Sequence, residues 1–433
     1  MLKPIARSLG RQRIAGAPPA LDQDRRAGRS PMPGATAPGP RARSSLLAVA
    51  GASLTAVLAA VTLAVPAQAA PLSAADQAFV DATVQQAVTE NNVGGMSIKI
   101  SGPAGDYEKA YGDRSSAPKV PLTLADHFRI GSITKTFTAT AILKQVELGN
   151  LSLDDKLDQF VTGIPNGSQI TVKQLLGMRS GVYDYQQDAA LKLQVGLTPW
   201  VDFDPQRVLT ILRDPSHPPR FAPGAKTEYS ETNYVLLGFI LQAVTGQDAA
   251  TVITNDVITP LGLTNTKFPT AANTSPIYAM PSPYATGYVT GYLFPGVTQD
   301  LTAWNPNLVW TAGAIISTVG DMEKYVKALG QGQLLNASTN ALRKQWCPMP
   351  YTYEGPTQWG YGLGLSSLGS WIGHGGSIAG YEGSAFYEPT SGAAIAVLGN
   401  FQSSTVKVWT QVFERIAAHL YPGTMATPSY PTC

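Results

Sequence analysis

Across 433 residues the chain holds only two cysteines and four histidines. A structural zinc site needs four ligands at close spacing. Here Cys347 and Cys433 stand far apart and His127, His217, His374 and His419 are scattered, so no metal centre is expected. Charge is also sparse and unevenly placed. Residues 1–45 carry nine Lys/Arg against two Asp/Glu, leaving 22 against 27 in the remainder, so the body is mildly acidic although the net charge is +2. Such a body lacks the clustered cations that displace counterions from phosphates, which excludes a nucleic-acid partner as the working expectation. The G-x-S-x-G elbow of Ser-His-Asp hydrolases is missing. His127, His217 and His419 have no motif around them and read as structural or surface residues. No internal repeat and no disordered linker interrupt the sequence beyond residue 70.

What is present is apolar residues in quantity, 44% of the chain, enough to bury a large core and to build two lobes at this length. The basic excess is explained by the N-terminus. Arg41 and Arg43 precede an apolar run from Leu46 to Val65, followed by Ala67-Gln68-Ala69 and Ala70. This is the charged, apolar and small-residue order of an export signal cleaved after Ala69, with a retained membrane anchor as the competing reading. The sequence therefore divides into an N-terminal extension, 1–69, and a catalytic domain, 70–433. In an exported chain two cysteines permit one disulfide, Cys347 to Cys433; two free thiols are the alternative.

Ser73 to Asp76 resembles a capping pattern, and Val80, Val84 and Val88 repeat every four residues, predicting a helix at the start of the domain. Met96, Ile98 and Ile100 alternate with polar residues, and a second extended segment at Tyr107 to Tyr111 follows a Gly-Pro-Ala-Gly turn, predicting a hairpin. Near the other end, Gly383 to Glu388 and Ala393 to Gly399 flank a Pro-Thr-Ser-Gly turn, and Val406 to Leu420 is helical in character. This order predicts an α+β fold. An antiparallel sheet is assembled from both ends of the chain, flanked by helices, with residues from about 135 to 330 inserted as a mostly helical lobe and the active site in the cleft between them. The Pro- and Gly-rich stretch from Ala279 to Pro306 predicts long loops at the rim of that cleft.

Three separated segments carry chemistry. In the first, Phe128-Arg-Ile-Gly-Ser132-Ile-Thr-Lys135-Thr-Phe137, residues three apart share a helix face, so Ser132 stands beside Lys135. The helix N-terminus adds partial positive charge at the hydroxyl, and burial can lower the lysine pKa until it serves as a base. The second, Phe221-Ala-Pro-Gly224 followed by Tyr229-Ser-Glu231-Thr-Asn233-Tyr234, sets Tyr229 on a turn ahead of an apolar helix, where its phenol can shuttle a proton or simply pack. The third, Trp371-Ile-Gly-His374-Gly375-Gly376-Ser377-Ile-Ala-Gly-Tyr381, has glycines that let a strand approach a ligand. An oxyanion hole would then combine the Ser132 N–H with one on this strand. His374 taken alone could equally be a satisfied structural histidine.

Together these segments resemble the S-x-x-K, Y-x-N and K/H-x-G motifs of the serine β-lactamase and D-alanyl-D-alanine carboxypeptidase family, in its class C-like branch. Order and spacing agree, with 97 residues from Ser132 to Tyr229 and 145 from Tyr229 to His374, and the likeness runs from about Ala74 to His419. The resemblance implies a sheet-plus-helical-lobe fold, acylation of Ser132, and proton transfer shared by Lys135 and Tyr229 with His374 in the third motif. It also implies substrate contact at Gly375, Gly376 and Ser377, and neither metal nor organic cofactor. Relatives cleave D-Ala-D-Ala termini, D-amino-acid amides, β-lactams or esters. The expected partner is thus a small-molecule or short-peptide substrate, derived from peptidoglycan or bearing a D-residue, with no stable protein partner.

Three departures qualify that picture. Glu231 replaces the usual Asn, trading a hydrogen-bond donor for a carboxylate that only accepts. Beside Lys135 it would favour the ammonium, unless it is protonated or turned away. It either binds a cationic substrate group or is a neutral substitution, and Asn233 falls two residues too late to stand in for it. Gly375 stands where D-Ala carboxypeptidases of this type carry Thr, and Ser366-Ser367-Leu368 where they place an Arg, which weakens recognition of a free carboxylate. The expectation is an exported serine hydrolase or acyltransferase of peptidase or esterase type. A β-lactamase and a catalytically silent cell-wall-peptide-binding protein are the alternatives.

Overall fold

The structure is a computed structural model and describes residues 70–433, apart from 92–93, 293, 351–358, 403–407, 427–428 and 432. The extension 1–69, with its expected signal or anchor, lies outside the described residues. Helix α1, Ala74–Asn91, begins where the Ser73 hydroxyl accepts from the Asp76 N–H at 3.1 Å. It buries Val80, Val84 and Val88 on one stripe, as their spacing requires.

Nine antiparallel strands form the central sheet. β1 (Gly95–Ser101), β2 (Tyr107–Ser116) and β3 (Lys119–Pro121) come from the N-terminal end. The C-terminal end supplies β4 (Cys347–Met349), β5 (Trp359–Tyr361), β6 (Ser366–Leu368), β7 (Trp371–Ile378), β8 (Tyr381–Glu388) and β9 (Ala393–Gly399). Their order in space is β3-β2-β1-β9-β8-β7-β6-β5-β4. The two ends of the chain meet at β1 and β9, where Ile98 pairs with Val397. Between them lie α2 (Thr134–Glu147), α3 (Thr232–Thr245), α4 (Val319–Gln331) and several shorter helices; α5 (Val408–Leu420) follows the sheet.

Both sheet faces are covered, because successive residues of a strand point to opposite sides. Phe386 of β8 packs on Phe413 of α5, with ring centroids 4.7 Å apart, and α1 lies beside α5 on the same face. Its neighbour Tyr387 projects to the other side, so closely against Gly330 of α4 that a Cβ there would lie 2.1 Å from the ring. This corrects the expected limit of the helical lobe near residue 330: α4 packs on β1, β8 and β9, so the lobe ends before it. The final helix is described from Val408; the expected start at Val406 falls in 403–407, which lie outside the described residues. Cys347 on β4 and Cys433 form a disulfide with 5.6 Å between Cα atoms, which ties the terminal residue to the sheet edge.

Candidate active site

Ser132 lies in a 3-10 turn, Gly131–Ile133, that runs directly into α2. The turn is clamped from two sides. Ile130 N–H donates to Ile315 O at 3.0 Å and Ile315 N–H to the Thr134 hydroxyl at 3.1 Å, which fixes the helix start against segment 312–315. On the other side β7 passes so near that a Cβ on Gly376 would lie 2.0 Å from Ile130 O and 3.3 Å from Ser132 N. Only glycine permits that approach, and it sets the backbone of β7 beside the serine amide.

Three motif side chains converge. Lys135 Nζ donates to Ser132 Oγ at 2.9 Å, and the Tyr229 hydroxyl donates to the same oxygen at 2.8 Å. Lys135 Nζ also donates to Glu231 Oε2 at 2.5 Å and to the Ala312 carbonyl at 2.8 Å. Its side chain is fully buried, while that of Glu231 is 15% exposed. Burial pushes the lysine pKa below its usual range and the Glu231 charge opposes it. The expected meeting of Glu231 and Lys135 is therefore present as an ion pair, with Glu231 turned toward the lysine.

Tyr229 is held by its own loop. Glu228 N–H donates to Met178 O at 3.0 Å, and two residues past the motif Asn233 is buried, donating to Ser230 O at 3.1 Å and accepting from the Ser180 hydroxyl at 2.5 Å. Asn233 thus pins the turn and does not reach the cleft. His374 does not touch Ser132. Its Nδ1 faces Gly375 O at 2.5 Å and its Nε2 faces the Tyr361 hydroxyl at 3.2 Å. A carbonyl only accepts, so the proton is assigned to Nδ1 and Nε2 accepts from Tyr361. Burial and the Lys135 charge push its pKa down to about 3, leaving a neutral imidazole whose ring centroid stands 6.4 Å from that of Tyr229.

Two cavities meet at Ser132, with Glu231, Gln186, Ser377 and Gln402 on their common border. One, about 440 Å³, is mostly apolar, walled by Leu191, Val195, Trp304, Leu308, Val309 and Ile378. The other, about 430 Å³, is walled by Asp184, Glu228, Tyr361, Ser366, His374 and Trp409, and no Lys or Arg lines it among the described residues. Burial, reinforced by the Glu231 charge, pushes Asp184 up to about 7. Gly375 faces away from the serine. A Cβ there would lie 2.0 Å from the Trp409 ring, so the indole fills the space in which a threonine would stand. Ser366 is buried on the wall, and the Ser367 hydroxyl pairs with that of Tyr430 at 2.7 Å. Ser377 Oγ accepts from Gln402 Nε2 at 3.0 Å.

Asp184, Gln402, Trp409 and the Ala312 carbonyl escaped sequence reasoning. Asp184 had one local signal, as the cap that accepts from the Gln186 N–H at 3.1 Å. The carbonyl had none, since a backbone acceptor leaves no mark in residue type. Among the described residues no cluster of three or more His, Cys, Asp or Glu is arranged to hold a metal ion.

The Beta-lactamase family model matches residues 80–412. Protein flp of Staphylococcus aureus is 32% identical over 260 residues, 58% of this chain and 48% of its own length. The chain spans about half the length of the curated relatives it matches. A D-stereospecific amidohydrolase from Streptomyces sp. superposes with a TM-score of 0.69 at 29% identity, covering 80% of this chain and 98% of its own. A D-amino acid amidase from Ochrobactrum anthropi gives a TM-score of 0.68 over 79% and 97% of the two chains; at 24% identity that is a likeness of fold.

Proposed function

The chain belongs to the Beta-lactamase family, a family of serine hydrolases by fold and relatives, and from that premise we propose that it is an exported hydrolase or acyltransferase that forms an acyl-enzyme at Ser132 on small amides or esters, those of D-amino acids foremost. The observation that carries this reading is the convergence of Lys135 Nζ and the Tyr229 hydroxyl on Ser132 Oγ where two cavities meet. As Ser132 Oγ attacks the substrate carbonyl, its proton passes to Lys135 and returns through Tyr229 to the leaving nitrogen or oxygen. The Ser132 N–H and the adjoining β7 backbone supply the oxyanion donors. Water then releases the acyl group.

The cavity walls support a substrate with an apolar side chain and no free carboxylate. No described Lys or Arg lines the polar cavity to receive a terminal carboxylate. The cations nearest its carboxylates are already engaged, Arg220 and Lys226 with Glu228 and Lys135 with Glu231, and Lys192 lines the apolar cavity instead. A D-aminoacyl amide or ester with a free amine suits these walls better than a D-Ala-D-Ala terminus, and the relation to a D-stereospecific amidohydrolase favours the same class.

The test is covalent labelling of the mature protein by a fluorophosphonate or a fluorescent penicillin, followed by turnover on D- and L-aminoacyl amides and esters, D-Ala-D-Ala peptides and a chromogenic cephalosporin. Labelling lost in Ser132→Ala, with D-aminoacyl substrates turned over fastest, is the expected result. A label that persists in that variant overturns the assignment of Ser132, and preferred turnover of the cephalosporin makes the protein a β-lactamase.

A further inference from the structure

Lys135 has no lone pair to offer in the bonded state. An ammonium has three N–H donors, and all three are used: on Ser132 Oγ at 2.9 Å, Glu231 Oε2 at 2.5 Å and Ala312 O at 2.8 Å. To become a base it must first lose a proton. Full burial of the side chain denies that proton a direct route to solvent. Of the three acceptors, a backbone carbonyl cannot hold a proton and Ser132 is the group that must give one up. Glu231 is left.

We infer that Lys135 and Glu231 hold one proton between them and pass it across their 2.5 Å contact, so that Glu231 frees the lysine to act as base without exchange with solvent. This rests on the acyl-enzyme reading above. The proton moves from Nζ to Oε2, turning the ion pair into a neutral amine and a neutral carboxylic acid. The amine lone pair takes the Ser132 proton as Oγ bonds to the substrate carbonyl carbon and the carbonyl electrons move to oxygen. When the intermediate collapses, the ammonium gives up a proton that reaches the leaving group by way of the Tyr229 hydroxyl as that bond breaks, and Glu231 returns its proton to Nζ. Protons balance, with the serine proton ending on the leaving group and the pair restored. Desolvation narrows the gap between the ion pair and the neutral form, because burying two charges costs solvation that their attraction does not wholly return. Substrate filling both cavities narrows it further, since Glu231 borders each.

Other groups face the pair and must be kept apart from it. Asp184 and Tyr185 approach from the loop before the helix at 189–197, Tyr229 and Tyr234 from the second motif, Tyr361 from β5 and His374 from β7, with Arg343 behind them. Burial raises Tyr185, Tyr234 and Tyr361 and leaves His374 neutral, while Asp184, pushed up to about 7, titrates near neutrality.

The experiment measures the pH dependence of kcat/KM for acylation by an activated D-aminoacyl ester in an Asp184→Asn background, with and without Glu231→Gln. With Glu231 present, the rate stays level across neutrality, because the pair keeps its shared proton. With glutamine, Lys135 titrates alone, and the profile becomes one ascending limb that falls about tenfold per pH unit on its acid side. Superimposable profiles overturn the inference. Infrared spectroscopy of the wild-type protein carrying carbon-13 glutamate gives a second readout that needs no variant. Its boronic-acid adduct at Ser132 is expected to show a new carboxylic-acid carbonyl band, and absence of that band also overturns the inference. Failure of the serine reading is recognised separately, by adduct formation or labelling that survives Ser132→Ala.

Discussion

Two cations are buried against helix α2, and their surroundings differ in kind. Arg343, from the short helix Ala337–Arg343, donates to the Thr140 hydroxyl at 2.8 Å, to Thr136 O at 3.0 Å and to Gly364 O at 3.3 Å. One turn nearer the helix start, Lys135 donates to a hydroxyl and a carbonyl as well, but its third partner is the Glu231 carboxylate. Burial pulls both pKa values down. Arginine keeps its proton even so, and none of its partners could take it, so Arg343 serves as a permanent clamp between α2 and the sheet-side loop at Gly364. Lysine is readily deprotonated when buried, and a group able to receive the proton lies beside it. On the reading proposed above, what separates a structural buried cation from a chemical one is a neighbour with somewhere to put the proton.

The comparison breaks most readily at Lys135. Lys135→Met is expected to slow acylation per folded molecule by about 10²–10⁴-fold, the span of a general base, and also to lower stability, because it leaves the Glu231 carboxylate and the Ala312 carbonyl without their donor. A variant with near-normal acylation would remove Lys135 from the chemistry. Arg343→Met is expected to share the loss of stability without the loss of activity. It leaves two carbonyls and a hydroxyl without their donor in a dry site and lowers the unfolding free energy by about 3 kcal/mol in urea titration, with kcat/KM per folded molecule unchanged. If Arg343→Met instead lowers kcat in the folded enzyme, the two cations are not the contrasting pair described here.

Gly375 sharpens the same contrast from the opposite wall, where no charge is involved. Restoring threonine in Gly375→Thr drives its side chain into Trp409, and overpacking of this kind costs about 1–3 kcal/mol. Adding Trp409→Leu is expected to recover most of the melting temperature, whereas an unchanged stability in the single variant would show that the indole has room to move.

Much of this was legible beforehand because it depends on period and proximity along the chain. The stripe of Val80, Val84 and Val88, the hairpin of β8 and β9, and the pairing of Ser132 with Lys135 all follow from geometry within a few residues. The helical lobe ends before the expected residue 330; α4 has helical periodicity wherever it packs, and its packing on β1, β8 and β9 is what assigns it to the sheet. Asp184, Trp409 and the Ala312 carbonyl come from loops and helices that share no motif with the serine, and the one local mark among them, the capping pattern at Asp184, says nothing of the cleft.

Glu231 draws the line between the two kinds of information. Its position after Tyr229 was readable as a departure from Y-x-N, but whether its carboxylate met the lysine, met the substrate or turned away was open, since each needs a different approach of α3 to α2. Residue type and spacing determined the proposed nucleophile Ser132, its neighbouring lysine and the strands that enclose them. The packing of α2, α3 and segment 310–315 decided the rest: buried threonine hydroxyls stitch them together, Thr138 to Thr311 O at 2.7 Å and Thr311 to Tyr234 O at 2.8 Å. That packing aims three acceptors at one ammonium, and such convergence of distant backbone and side chains has no counterpart in linear order.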